Sequence, residues 1–130
     1  MKKHIIVQHT HRYTHQKEKL FEGYAEVSEF NEYRQYCFQE ADGTKVVMTC
    51  YEFSMRIERF GEIHSCIECQ PGKSIECPMR SAYGTFAIPI YTFAYVREDD
   101  YVVVSYDVEN GTDDKDGFII EIEEDRHETN

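Results

Sequence analysis

The chain has 130 residues and carries 25 Asp and Glu against 14 Lys and Arg, which gives a formal net charge of −11. With 41% hydrophobic residues, the composition excludes a disordered chain and predicts one domain. Residues 98–130 hold 13 acidic side chains against only Lys115 and Arg126. Because no basic cluster occurs, nucleic acids and anionic membrane surfaces are excluded as partners.

Strand patterns dominate the chain. Apolar and polar residues alternate along it, and the apolar positions are mostly β-branched or aromatic, which is typical of a pleated, half-buried surface. We expect eight to ten strands and no helix. The predicted segments are 4–14, 20–30, 33–39, 45–51, 54–60, 63–69, a short one at 74–79, 85–96, 101–108 and 118–124.

Turn residues indicate how these strands connect. Asp42-Gly43 predicts a hairpin turn, and Gly23 within the second strand predicts a bend or a close backbone approach. Pro89 has no N–H to donate, so it predicts an edge, a bulge or a bend near Ile88. Short strands joined by hairpins predict a sandwich or a barrel, and we favour a closed antiparallel barrel because closure leaves no exposed edge.

Three segments carry a family resemblance: Met55-Arg56-Ile57-Glu58-Arg59-Phe60-Gly61, Tyr83-Gly84-Thr85-Phe86 and Val104-Ser105-Tyr106-Asp107-Val108. In order and separation, residues 23–124 resemble the YwiB-like family of small bacterial β-barrels, grouped with the calycins and so with the lipocalins. The resemblance implies a calycin-like meander of eight to ten strands, and it assigns no activity. The histidines of the first strand and Cys66, Cys69 and Cys77 depart from the family's features.

The first predicted strand contains a possible metal-binding pair. His9 and His11 are separated by one position, so on a strand they point to the same face, about 6.5 to 7 Å apart. Imidazole is a common ligand of zinc, copper and nickel, although a site needs a third or fourth ligand. His15 shares their parity but falls in the predicted turn. The alternative is a pair of ordinary strand histidines.

The cysteines offer a second possible site. Cys66 and Cys69 are three positions apart, so on a strand they point to opposite faces and cannot chelate together. Cys69 and Cys77 could face one another across the turn at Pro71-Gly72 and form a regulatory disulfide or a metal site. The alternative is that they are free thiols. Under either alternative we expect no wider framework of structural disulfides, because no export signal is evident and five cysteines cannot all pair.

Two arginines in an apolar neighbourhood suggest a ligand site. If Arg56 or Arg59 points into a small barrel, its charge must be paired or must bind an anionic ligand. Beside Tyr83 or Tyr106, such an arginine would suit a carboxylate with an apolar tail. Ion pairing with Glu58 is the structural alternative.

The function that these features favour is binding rather than catalysis. No nucleophile elbow, zinc-protease motif, P-loop or dinucleotide fingerprint occurs, so no cofactor is expected. We therefore predict a non-catalytic cytoplasmic barrel, spanning 1–130 with a core of about 4–124 and a frayed acidic tail at 125–130. Its ligand would be small, partly apolar and anionic. Two alternatives are a packed barrel that acts as an interaction module or homodimer, and a metal protein or enzyme that uses the histidine strand.

Overall fold

The structure is a computed structural model that describes residues 1–109 and 116–125. It contains ten antiparallel strands in a meander, and pairing of the first strand with the last closes them into a barrel, as predicted. Of the predicted frayed tail at 125–130, only Asp125 is described, and there the prediction was wrong, since its N–H donates to the His4 carbonyl oxygen (2.8 Å). Residues 126–130, and residues 110–115 of the acidic loop before the last strand, lie outside the described residues. The strands are β1 (Lys2–His11), β2 (Lys17–Glu29), β3 (Tyr33–Gln39), β4 (Lys45–Tyr51), β5 (Met55–Phe60), β6 (His64–Cys69), β7 (Ser74–Ser81), β8 (Gly84–Glu98), β9 (Tyr101–Val108) and β10 (Asp116–Glu124).

Most strand boundaries agree with the sequence patterns, and β3, β4 and β9 agree at both ends. The first strand is shorter than predicted, because the chain turns at His11, whose carbonyl oxygen accepts a hydrogen bond from the His15 N–H (2.8 Å). The short segment at 74–79 is a full strand that continues to Ser81. Within residues 1–109 and 116–125, no helix has the length and apolarity needed to cross a membrane.

Gly43 lies in a turn between two strands, whereas Pro89 lies within a strand. Gly43 occupies the left-handed region (φ +92°) in the predicted hairpin turn, where the Thr44 N–H donates to the Asp42 carboxylate (2.9 Å). Pro89 lies inside β8 and stands opposite Glu76 of β7. The irregularity in β8 falls farther along, in its pairing with β9. β8 pairs with β9 only from Ile90 onward, so Pro89 and the residues before it have β7 as their only ladder partner among the described residues. Pro89 therefore lies where β8 becomes an edge, which is one of the three predicted alternatives, and the bulge lies farther along, beyond Thr92.

The barrel interior is filled along most of its length. Each strand sends alternate side chains inward, so that β1 contributes Ile5 and Val7 and β10 contributes Ile120 and Ile122. Burial of this continuous apolar cluster is the main stabilising contribution to the fold. The cluster consists of Ile5, Val7, Ala25, Val27, Tyr36, Phe38, Val46, Met48, Cys50, Met55, Ile57, Cys69, Cys77, Ile90, Val102, Val104, Tyr106, Ile120 and Ile122.

The two ends of the barrel differ in their loops. We call the end where β1 begins and β10 finishes the closed end. The opposite end, where β1 finishes, is the mouth, and it carries the β3–β4 and β5–β6 turns. Inward positions of β1 run from Lys3 at the closed end to His11 at the mouth, where His11 stands opposite Phe118.

Neighbouring strands part at two places in the wall. β2 and β3 pair from Glu29–Arg34, at the closed end, to Glu26–Cys37. Between that last pair and the mouth, β2 pairs only with β1. β6 and β7 pair only near the mouth, ending at Ser65–Met79. Farther down this second gap, the Glu68 N–H donates to the Cys77 sulfur (3.4 Å) in place of a backbone ladder bond.

Candidate functional site at the mouth of the barrel

Arg59 is the inward-facing cation of the mouth. It follows Met55 and Ile57 on the inward face of β5, and its neighbours across the sheet are the buried Val46 and Ser65. Strand alternation therefore directs the guanidinium toward the barrel interior, at the last inward position before the turn. Its side chain is 42% exposed, because the mouth is open above it.

A cavity of about 680 Å³ lies beside Arg59. Its volume falls in the range of small-molecule sites, which is about 300 to 1,000 Å³. The lining combines hydroxyl groups, two carboxylates and the apolar side chains of Ile63 and Met79. The lining residues are Asp42, Gly43, Thr44, Arg59, Gly61, Glu62, Ile63, Ser65 and Met79.

The charged groups that line the cavity are Arg59 and the carboxylates of Asp42 and Glu62, and Arg59 also forms an ion pair with Glu40. One terminal nitrogen of Arg59 donates to Glu40, whose side chain is only 12% exposed. A guanidinium has five N–H donors, and this is its one hydrogen bond to a described residue. Arg59 can therefore keep Glu40 and still donate to a bound anion.

Two further polar side chains, those of Tyr106 and His9, lie close enough to Arg59 for its charge to act on their pKa values. Tyr106 is 5% exposed, and its hydroxyl makes no hydrogen bond to a described residue. Burial raises the pKa of Tyr106, and the positive charge of Arg59 acts in the opposite direction. Burial lowers the pKa of His9, which stacks on Phe118 with ring centroids 4.5 Å apart. At neutral pH these two side chains are thus a neutral phenol and a neutral imidazole.

The structure brings His9 and His11 to the same face of β1, as the spacing predicts, but it gives them separate partners. His11 Nδ1 accepts the backbone N–H groups of Tyr13 and Thr14 (3.2 Å each), and Nε2 lies 3.3 Å from the Asp116 carboxylate. Both ring nitrogens of His11 are therefore engaged. Among residues 1–109 and 116–125, no three His, Cys, Asp or Glu side chains are arranged to hold a metal ion.

The other two predicted ligand contacts lie away from the mouth cavity. Arg56 faces outward and its Nε donates to Glu68 (2.9 Å) on the neighbouring strand. Tyr83 is fully exposed in the β7–β8 turn. Of the four predicted contacts, the structure brings only Arg59 and Tyr106 close to one another. The expected alternative of pairing with Glu58 is replaced by pairing with Glu68 and Glu40.

All five cysteines are free thiols, and Cys50, Cys69 and Cys77 are buried. Burial is the largest cause of the raised pKa of Cys77, and the same cause raises the pKa of Cys69 to about 12. A thiol with so high a pKa is a poor nucleophile and a poor metal ligand at neutral pH. Cys69 and Cys77 lie in the part of the wall where β6 and β7 separate, and there the Cys77 sulfur accepts the Glu68 N–H (3.4 Å).

The sequence did not single out Glu40, Ser65 and Met79 as mouth residues. Glu40 continues the inward positions of Arg34, Tyr36 and Phe38, so extending the alternation beyond the end of β3 would have found it. Ser65 and Met79 stand opposite one another on β6 and β7. Their position follows only from the register of two strands separated by a turn, which periodicity within one strand cannot give.

The closed end contains a buried polar network that has no counterpart at the mouth. Arg34 is 7% exposed, and it donates to the Glu29 carboxylate (2.8 Å), to the Glu98 carbonyl oxygen (2.8 Å) and to the Tyr36 hydroxyl (3.2 Å). Tyr36 in turn donates to Glu124 (2.8 Å). Burial lowers the pKa of Arg34, but these hydrogen bonds outweigh it and hold that pKa above its ordinary range.

Side chains of β8 complete the closure of this end. Tyr95 donates to the Tyr51 carbonyl oxygen (2.5 Å), and Arg97 donates to that of Cys50 (2.9 Å). Because β8 and β4 are not neighbours in the barrel, these bonds cross its base. These two hydrogen bonds tie β8 to the end of β4 at the closed end.

Comparison with known proteins supports the fold and leaves the site unassigned. No protein-family model and no curated protein matches the sequence. Among solved structures, the chain is similar to the YwiB protein of Bacillus subtilis, with a TM-score of 0.62 and 14% identity over 95% of this chain and 93% of that one. At this identity the likeness concerns the fold alone. We conclude that the chain is a closed ten-stranded barrel with a YwiB-like fold.

Proposed function

We propose that this protein binds a small, partly apolar anion at the mouth of the barrel, with Arg59 as the group that holds the negative charge. The observation that carries the proposal is the position of Arg59, which lines a cavity of about 680 Å³ and uses one donor for Glu40. A guanidinium binds a carboxylate through two parallel N–H donors. Arg59 retains enough donors for that geometry.

The surroundings of Arg59 suit the rest of such a ligand. Ile63 and Met79 supply apolar surface on one side of the cavity, and Ser65 and Thr44 supply hydroxyl groups. Glu40 keeps the guanidinium charge balanced when no ligand is bound. The proposed role is binding without catalysis, and calycin-like ligand binding belongs to the same proposal.

The experiment is a calorimetric titration with straight-chain carboxylates of four to ten carbons. We expect saturable binding by the natural sequence, and about tenfold weaker binding by Arg59→Gln, because a charged hydrogen bond contributes about 1.5 to 3 kcal/mol. Arg56→Gln is the matched control, since it removes the same charge from the outer face of the same strand. Equal affinities for Arg59→Gln and the natural sequence, or no binding of any carboxylate, would overturn the proposal.

A second candidate function is self-association through the outer face of β8. Phe93 and Val96 are each 46% exposed on this strand, and Ala87 and Ala94 are exposed beside them. Sedimentation velocity over a range of concentrations tests this candidate, with Val96→Glu as the disrupting variant. A monomer at all concentrations, or a dimer that Val96→Glu leaves intact, would eliminate it.

The proposed location is the cytosol. All five cysteines are free, which is the state that a reducing compartment maintains. Fractionation of cells that produce the chain with a small C-terminal tag tests the location, and recovery in a membrane or secreted fraction would contradict it.

A further inference from the structure

The gap between β2 and β3 forms a groove on the outside of the barrel. Above the Glu26–Cys37 pair the two strands separate, and a space of about 420 Å³ opens between them. Gly23 lies in this stretch of β2 at φ +157°, and a Cβ there would stand 3.3 Å from the Phe21 ring. The absence of a side chain at Gly23 leaves room for the Phe21 ring against the β2 backbone, which agrees with the predicted close approach.

The floor of the groove is aromatic. Phe21 of β2 and Phe38 of β3 stack across the gap, with ring centroids 4.6 Å apart and an angle of 27° between the planes. This pair fills the space that a backbone ladder would otherwise occupy. A flat apolar body can pack on such a surface while one edge stays in water.

The rim of the groove is cationic, although the chain as a whole is acidic. Lys2 and Lys45 both line it, and neither forms an ion pair with a described residue. The carboxylate on this rim, Glu26, is bound by the terminal amine of Met1. Lys2 stands opposite Glu26 in the ladder, and the Met1 amine, together with Lys2, lowers the pKa of that carboxyl. The rim thus holds one carboxylate against three cationic groups, and the excess positive charge can act on a ligand.

We propose that this groove is a second binding site, selective for a flat aromatic anion whose rings pack on Phe21 and Phe38 and whose charge is held by Lys2 and Lys45. The site lies on the outer wall, whereas the mouth cavity is lined by the β3–β4 and β5–β6 turns together with residues of β5, β6 and β7. It does not depend on Arg59. A straight-chain carboxylate suits the mouth better, because it offers no ring to stack.

The first test is a fluorescence titration with 8-anilinonaphthalene-1-sulfonate. We expect the double variant Lys2→Gln/Lys45→Gln to bind this probe at least about fivefold more weakly, since two attractive charges are lost. Lys17→Gln/Lys73→Gln is the control, because it changes the net charge equally at other exposed positions. Arg59→Gln should bind the probe as the natural sequence does. Equal binding by the two double variants, or a loss confined to Arg59→Gln, would overturn the inference.

A second test uses Cys37, whose thiol lines the groove. Iodoacetate and iodoacetamide both alkylate a thiolate, forming a carbon–sulfur bond and releasing iodide, and they differ in charge. The ratio of their rates cancels the thiolate fraction and reports the local potential. Cys66 is an internal control, because it is also half-buried but has two acidic neighbours, Glu58 and Glu68, against one basic neighbour, Arg56.

We expect the iodoacetate to iodoacetamide ratio to be at least about threefold higher at Cys37 than at Cys66, as attraction by nearby charges predicts. The difference should shrink in Lys2→Gln/Lys45→Gln. Rates for the two thiols are obtained by mass spectrometry of their peptides. Equal ratios at Cys37 and Cys66 would show that the groove does not attract anions, and the inference would fail.

Discussion

The closed end and the mouth use the same kind of side chain in opposite ways. Arg34 and Arg59 each continue the inward face of a strand at one end of the barrel. Arg34 is almost fully buried and donates to three different groups, whereas Arg59 is partly exposed and donates to Glu40 alone. An inward arginine is therefore structural where its donors are satisfied, and available for binding where they are not.

The two tyrosines repeat this contrast. Tyr36 accepts a hydrogen bond from Arg34 and donates one to Glu124. Tyr106 is equally buried, but no described residue hydrogen-bonds its hydroxyl. At the closed end, Arg34 and Tyr36 are hydrogen-bonded to several groups. At the mouth, Arg59 and Tyr106 have donors that bind no described residue.

Exchanging each arginine for methionine should separate the two ends most clearly. We expect Arg34→Met to lower the free energy of unfolding by about 3 kcal/mol, because removing a buried charged partner leaves the groups it bound without hydrogen bonds. Arg59→Met should cost less than about 1 kcal/mol, as is typical of a partly exposed ion pair. Urea denaturation followed by circular dichroism measures both. Similar losses for the two variants would contradict the distinction.

Removing one hydroxyl from each tyrosine sharpens the contrast. Tyr36→Phe should lower the free energy of unfolding by about 1 to 3 kcal/mol, since Glu124 loses a buried donor. Tyr106→Phe should change it by no more than about 0.5 kcal/mol. The same denaturation assay applies, and a loss above 1 kcal/mol in Tyr106→Phe would reveal a hydrogen bond at the mouth.

The mouth should also show a pH dependence of its own. Burial holds the pKa of His9 below its ordinary value of 6.5, so the folded state favours the neutral imidazole. The unfolded chain then binds more protons, and the contribution of His9 to stability is present above pH 6.5 and is lost as the pH falls below it. We expect His9→Gln to lose less stability than the natural sequence between pH 7 and pH 5. Parallel curves for the two proteins would contradict this.

An ion pair on the outer wall provides the reference against which the stability effects of the arginines at both ends can be compared. Arg56 and Glu68 form an ion pair with side chains 41% and 37% exposed. Because water screens such a pair, Arg56→Gln should change the free energy of unfolding by less than about 0.5 kcal/mol. Thermal denaturation at low and high salt measures the difference. A loss close to that of Arg34→Met would show that position in the barrel does not decide the energetics.

Local sequence signals predicted the strands well because they depend on neighbours within one segment. Alternation located β3, β4 and β9 at both ends, and Asp42-Gly43 identified its hairpin turn. Pro89 left an edge, a bulge and a bend open, and only the pairing of the strands shows that it lies at an edge, since β9 pairs with β8 from Ile90 onward. The ladder partner of a given residue depends on the adjacent strand, which a local pattern does not contain.

The candidate site was only half predictable for the same reason. Arg59 and Tyr106 could be named from residue type, but Arg56 could be separated from Arg59 only once the inward face of β5 was known. The parting of β2 and β3, which creates the groove beside Lys45, left no signal beyond Gly23. Such gaps arise from the geometry of closing ten strands together.

The sequence by itself determined the strand segments, the hairpin order and the all-β barrel, because alternation and turn residues act over a few neighbouring positions. Only the tertiary structure decided which end is sealed and which is open. That outcome depends on side chains from strands far apart in the chain, such as Arg34 with Glu98 and Arg97 with Cys50. Hydrogen bonds across the barrel exist only after it has closed, so no local pattern can specify them.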